Sequence, residues 1–171
     1  MARVFLSLGS NLGDRFRHLE EALARLRRLS EIRFLTCSRY YETEPWPERN
    51  VARERWFLNC VVEIETALRP RALLARLQEI EAVLGRTRPA GGLNLLEYEP
   101  RTMDIDILLY GDRVISEFDL QIPHPLLHER RFVLVPLAEI AAEVEHPIFY
   151  RPIRALLAEL EDDRGIFPFQ A

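Results

Sequence analysis

The spacing of apolar residues switches repeatedly between a period near two and one near 3.6, and that alternation restricts the folds open to the chain. Residues 3 to 8, RVFLSL, read as a short strand, and GSNLGD turns into a helix from about Arg15 to Leu29. In that helix Phe16, Leu19, Ala22, Leu23 and Leu26 fall on one face. Residues 33 to 42 read as a second strand and residues 56 to 66, WFLNCVVEIET, as a third. Pro70 in a first helical turn and Gly85 just past the end bracket a second helix, with Leu73, Leu77, Ile80 and Leu84 at helical spacing. A strand containing MDIDILLY follows. The order strand, helix, strand, strand, helix, strand predicts an α+β fold with a ferredoxin-like βαββαβ core. Additional C-terminal helices are expected around 131–144 and 152–160. Segments 43 to 54 and 87 to 100 lack periodicity, and loops that long point to active-site loops.

With 171 residues, 48% of them hydrophobic, the chain suffices for one core, so residues 1–171 are read as a single domain. No apolar run spans a bilayer and MARVFLSLGSN lacks the pattern of a signal peptide, so a cytoplasmic protein without membrane partners is expected. A net charge of −4 argues against nucleic acid as a partner. Cys37 and Cys60 lack metal-ligand spacing and are expected to be buried free thiols. All 23 basic residues are arginine, which excludes lysine Schiff bases and the lysine-bearing phosphate loop. Phosphate chemistry in this chain would have to use arginine.

Asp104 and Asp106 lie two apart in a strand, so their carboxylates project side by side. A solvated strand face would show the same alternation, but Ile107 to Tyr110 are apolar on both faces, as in a central strand. Adjacent carboxylates repel unless a cation lies between them, and hard oxygen ligands suit Mg²⁺ bridged to phosphate. Arg86, Arg88 and Arg101 precede the pair, and guanidinium groups there could clamp a polyphosphate. In the third strand Phe57 and Asn59 share the face opposite Leu58, Cys60, Val62 and Ile64; a ring beside an amide suits a flat heterocycle with donor and acceptor edges. His124, stiffened by flanking prolines, could contact a phosphate.

The motifs GSNLGDR (9–15), YETEP (41–45), FLNCVV (57–62), GRTR (85–88), PRTMDIDILLYGD (100–112) and IPHPLLHERRFVLVPLAEIA (122–141) together resemble the 6-hydroxymethyl-7,8-dihydropterin pyrophosphokinases over nearly the whole chain. The resemblance implies transfer of diphosphate from ATP to the hydroxymethyl group of the dihydropterin, with release of AMP, in folate biosynthesis. It implies two Mg²⁺ ions on Asp104 and Asp106, with Arg88 and Arg101 as catalytic arginines. It places the pterin among Thr43, Pro45, Trp46, Phe57, Asn59 and Phe132, and ATP against Gln78, Glu81, Arg88, Arg101, Ile107, His124 and Arg130. The expected working unit is a monomer. Departures from the family pattern are a longer 88–101 segment, Glu99 in place of glycine or alanine, Tyr98 where some members carry tryptophan, Phe57 where some carry tyrosine, and Asp119 where some carry a basic residue. Two other readings compete: a different Mg²⁺-dependent phosphotransferase on this fold that releases ADP, and a non-enzymatic ferredoxin-like binding module.

Overall fold

A computed structural model describes residues 1–85 and 102–171. β1 (Ala2–Ser10) leads into α1 (Arg15–Arg28), then β2 (Ile32–Cys37), β3 (Tyr41–Thr43), β4 (Phe57–Thr66) and α2 (Pro70–Val83). β5 (Asp104–Tyr110), the hairpin of β6 (Ile115–Glu117) and β7 (Leu120–Ile122), and α3 (Arg131–Ala141) follow. The chain continues through β8 (Glu145–His146), β9 (Arg151–Pro152), α4 (Ile153–Ala158) and β10 (Ile166–Pro168). Asp14 caps α1 by accepting from the Arg17 N–H at 3.0 Å, so the aspartate of GSNLGD ends a turn and starts a helix.

The main sheet runs β10-β3-β4-β1-β5 with antiparallel pairing, and β2 pairs β4 beside β3. This is the expected ferredoxin-like order, because β1 lies between β4 and β5, the strands that precede and follow the second helix. One expected strand, 33–42, is instead two. At Ser38 the side chain enters the ladder: the Val61 N–H donates to Ser38 Oγ at 3.0 Å while the Ser38 N–H donates to the Val61 carbonyl at 2.9 Å. The hydroxyl replaces a backbone acceptor, and β3 pairs β4 only from Tyr41 onward. Sequence patterning also misses β10, which lengthens the sheet at its β3 edge. The third expected helix stops earlier, at Ala141, and the fourth is six residues long.

Both faces of the sheet are covered, which explains why β4 is buried almost throughout. On one face Leu6, Leu8, Leu58, Cys60, Val62, Ile64, Ile105 and Ile107 pack with Leu19, Leu23 and Leu26 of α1 and Leu73 and Leu77 of α2. On the other, Phe5, Val61 and Leu108 meet Val133, Leu134 and Leu137 of α3 and Ile153 of α4. Cys60 is fully buried, as expected, whereas Cys37 at the end of β2 is only partly so.

Candidate active site

α3 covers only part of its sheet face. Along β1 that face carries Phe5, Ser7 and Gly9, and the covered core ends at Phe5. Beyond it, strand register sets Asp106 opposite Ser7, Asp104 opposite Gly9, and Asn59 opposite Gly9 on the other side. Tyr41 is opposite Asn59, and Thr43 is opposite Phe57. One row across the sheet is thus Asp104, Gly9, Asn59, Tyr41. Side chains directly opposite share a face, so the two carboxylates, the amide and the Phe57 ring arise from the same surface.

Gly9 makes this surface possible. A Cβ on Gly9 would run into Asn59 Oδ1 and meet the Phe57 ring at 3.6 Å. The absence of a side chain lets the amide lie flat over β1. Asn59 is buried and donates through Nδ2 to Thr43 Oγ1 at 2.6 Å, so the two polar groups expected near the heterocycle orient each other. Pro45 is buried and Phe57, Trp46 and Phe132 are partly exposed.

Among the described residues β5 is the edge strand of the sheet and not the central one its apolar run suggests: Ile107 to Tyr110 are buried because both faces of the sheet are covered, while Asp104 and Asp106 are partly exposed. The N–H of Ile105, between them, donates to Glu81 Oε1 at 2.8 Å, and Glu81 is 1% exposed. This carboxylate therefore braces the edge of β5 from α2. Gln78, three residues earlier, is half-buried on the same helix. Ile107 points into the core of the opposite face, so only its backbone could face a ligand in this half.

His124 follows β7, and its N–H donates to the Leu108 carbonyl at 2.9 Å. Its Nδ1 accepts from the Leu126 N–H at 3.2 Å, which leaves the ring proton on Nε2, 3.9 Å from Asp106 Oδ2. Burial, and then the Arg130 guanidinium, pull its pKa down to about 3 against the opposing pull of Asp104. The imidazole is neutral at neutral pH, so the contact with Asp106 is not an ion pair. Among the described residues no three His, Cys, Asp or Glu side chains form a metal-binding cluster. The two carboxylates fit Mg²⁺, which commonly takes one or two carboxylates and fills its octahedron with water and phosphate oxygens.

Arg130 is buried with its guanidinium 4.9 Å from the Trp46 ring and 5.5 Å from the Phe132 ring. The structure thus puts this arginine, expected beside the nucleotide, against two of the rings expected around the pterin. Asp119 is held in the β6–β7 turn by Arg71 at 3.1 Å. Arg86, Arg88, Tyr98, Glu99 and Arg101 lie outside the described residues. Sequence reasoning missed Gly9 and Ser38; for Gly9 the signal was a glycine at the end of an apolar strand.

Residues 5–142 match the family model of 7,8-dihydro-6-hydroxymethylpterin-pyrophosphokinase. The chain is 37% identical over 169 residues to a 2-amino-4-hydroxy-6-hydroxymethyldihydropteridine pyrophosphokinase of Aquifex aeolicus, covering 99% of this chain and 96% of the relative. It is 41% identical over 166 residues to the protein of the same name from Methylorubrum extorquens, covering 97% and 98%. Among solved structures it resembles a Plasmodium falciparum HPPK-DHPS with STZ-DHP, with a TM-score of 0.71 at 17% identity. That likeness, which concerns the fold, covers 92% of this chain and only 43% of the other.

Proposed function

The chain belongs to the 7,8-dihydro-6-hydroxymethylpterin-pyrophosphokinase family, and from that premise we propose that it transfers the terminal diphosphate of ATP to the hydroxymethyl group of the dihydropterin, releasing AMP, in folate biosynthesis. The observation that carries this reading is the row Asp104, Gly9, Asn59. Neighbouring strands are about 4.8 Å apart, so amide and carboxylate stand roughly 10 Å from each other. A pterin held by Asn59 can then extend its hydroxymethyl arm toward phosphates held at Asp104.

Asn59 and Thr43 would read the polar edge of the pterin, with Phe57 and Phe132 against its faces and Pro45 and Trp46 closing the side. Asp104 and Asp106 would hold two Mg²⁺ ions, which when bound neutralise the phosphate oxygens and activate the hydroxyl. His124, neutral and with its proton on Nε2 toward Asp106, would donate to a phosphate oxygen without adding charge. Glu81 would keep the carboxylate strand in register, and Gln78, the backbone of Ile107, and Arg130 would line the nucleotide side. Arg88 and Arg101 are proposed to contact the phosphates and stabilise the charge transferred.

The reading takes residues 1–171 as one domain acting as a monomer in the cytoplasm. No helix among the described residues is long and apolar enough to cross a membrane. The test is nucleotide product analysis with ATP, Mg²⁺ and reduced 6-hydroxymethylpterin. AMP formed in step with pterin diphosphate is the expected result; ADP, or AMP formed without the pterin, overturns it.

A further inference from the structure

The last segment of the chain lies beyond residue 142, where the family match ends. After α4 it returns across the molecule to pair, as β10, with β3. It also seizes the loop that carries Trp46. Arg164 donates through Nη2 to the Pro47 carbonyl at 2.5 Å and through Nε to the Glu48 carbonyl at 3.2 Å. Its Nη1 meets Asp162 Oδ1 at 2.6 Å, and the guanidinium lies 6.0 Å from the Trp46 ring. The next residue completes the grip: Gly165 accepts from the Glu44 N–H at 2.9 Å and donates to Glu44 Oε2 at 3.2 Å. The other Glu44 oxygen accepts from the Asn50 N–H at 2.9 Å.

The same segment holds the opposite wall. Asp162 Oδ2 accepts from the Arg131 N–H at 3.1 Å, and the Arg131 guanidinium donates to the Arg164 carbonyl at 2.9 Å. Arg131 lies between Arg130 and Phe132. The loop from Thr43 to Asn50 and the start of α3 are therefore joined through Asp162 and Arg164. These side chains are only 5% and 10% exposed. Charge-assisted hydrogen bonds in a site that dry are strong and fix geometry, since a partner lost there leaves a charge uncompensated.

We propose that Arg164 and Asp162 are positioning residues for the pterin, setting the separation between the Trp46 loop and the Phe132 end of α3. The inference rests on the pterin reading of that loop. A segment that merely ends the chain would affect stability alone; one that sets a pocket width must affect one substrate more than the other.

The experiment is steady-state kinetics of Arg164→Gln and Asp162→Asn with pterin and ATP varied separately, together with thermal melts. Arg49→Ala is the control, because its pair with Asp163 is 59% and 76% exposed. The expected result is a roughly tenfold or larger rise in KM for the pterin, with KM for ATP within about twofold of the parent and Arg49→Ala unchanged. Unchanged pterin KM in either buried-pair variant, or parallel losses for both substrates, overturns the proposal. If Arg164→Gln does not fold, the Asp162→Asn result decides by the same criteria. Asn59→Ala separates the two levels: if it leaves the pterin KM unchanged, the pterin reading itself fails. If it raises that KM and neither buried-pair variant does, only the positioning role fails.

Discussion

The two halves of one sheet face differ in what a few residues along each strand carry. Toward one end, Phe5, Val61 and Leu108 pack under α3 with Val133, Leu134 and Leu137. Toward the other, the same three strands carry Ser7 and Gly9, Asn59 and Phe57, and Asp106 and Asp104. On β1 the side chains shrink from phenylalanine to nothing, and on β5 they change from leucine to carboxylate. Side chains of the first kind remove apolar area from water and stabilise the fold at roughly 25 cal/mol per Å². Those of the second kind leave a backbone floor with charges at its edge, which stabilises little and binds much. Stability and chemistry are thus assigned to opposite ends of the same strands.

The sharpest way to break that division is to neutralise the carboxylates. Asp104→Asn or Asp106→Asn should lower turnover by roughly 10³-fold or more while the protein stays folded, because both side chains are partly exposed and lie outside the packed core. AMP release and a thermal melt on the same sample check this, and unfolding of either variant would erase the distinction between the halves. In the covered half, Phe5→Ala should cost about 3–5 kcal/mol of stability and leave kcat of the folded fraction within about twofold, measured by denaturant titration and kinetics. Gly9→Ala sits on the boundary. Its new methyl must displace Asn59 Oδ1, so we expect a loss of about 1–3 kcal/mol and a raised KM for the pterin with KM for ATP little changed.

How much of this was legible in the sequence follows the same division. The covered core and the carboxylate pair were readable because hydrophobic periodicity and strand alternation are local rules, and Asp104 and Asp106 obey them two residues apart. Ser38 was not readable, since a serine replacing a backbone acceptor becomes visible only when Val61 is placed opposite it. Nor was Arg164. Besides Asp162, its partners are the carbonyls of Pro47 and Glu48, more than a hundred positions away, and backbone carbonyls leave no trace in side-chain identity. The family resemblance put Arg130 beside the nucleotide, whereas its stacking against Trp46 emerges only from three-dimensional proximity.

The smallest expected effect compares two histidines that share one local geometry and differ in what they face. His124 and His146 each precede a proline, and each accepts through Nδ1, at 3.2 Å, from the N–H two residues on. Each is buried. Burial leads in lowering both pKa values, to about 3 for His124 and about 4 for His146, where His128 adds to it. Because the folded values lie below the unfolded value near 6.5, the neutral rings contribute stability above that pH. The contribution fades as pH falls, through about 4 for His146, by at most about 1.4 kcal/mol per pH unit for each ring. Asparagine can keep an acceptor near the Nδ1 position and cannot titrate. His146→Asn should therefore flatten the loss of stability between pH 6.5 and 4 and leave activity at neutral pH unchanged, because that ring stacks on Phe149 at 4.4 Å. His124→Asn should flatten the same slope and lower turnover as well, because its Nε2 faces Asp106. Denaturant midpoints across that pH range, with AMP release at neutral pH, separate the two. Equal activity in both variants would mean that the ring beside Asp106 is as purely structural as its counterpart.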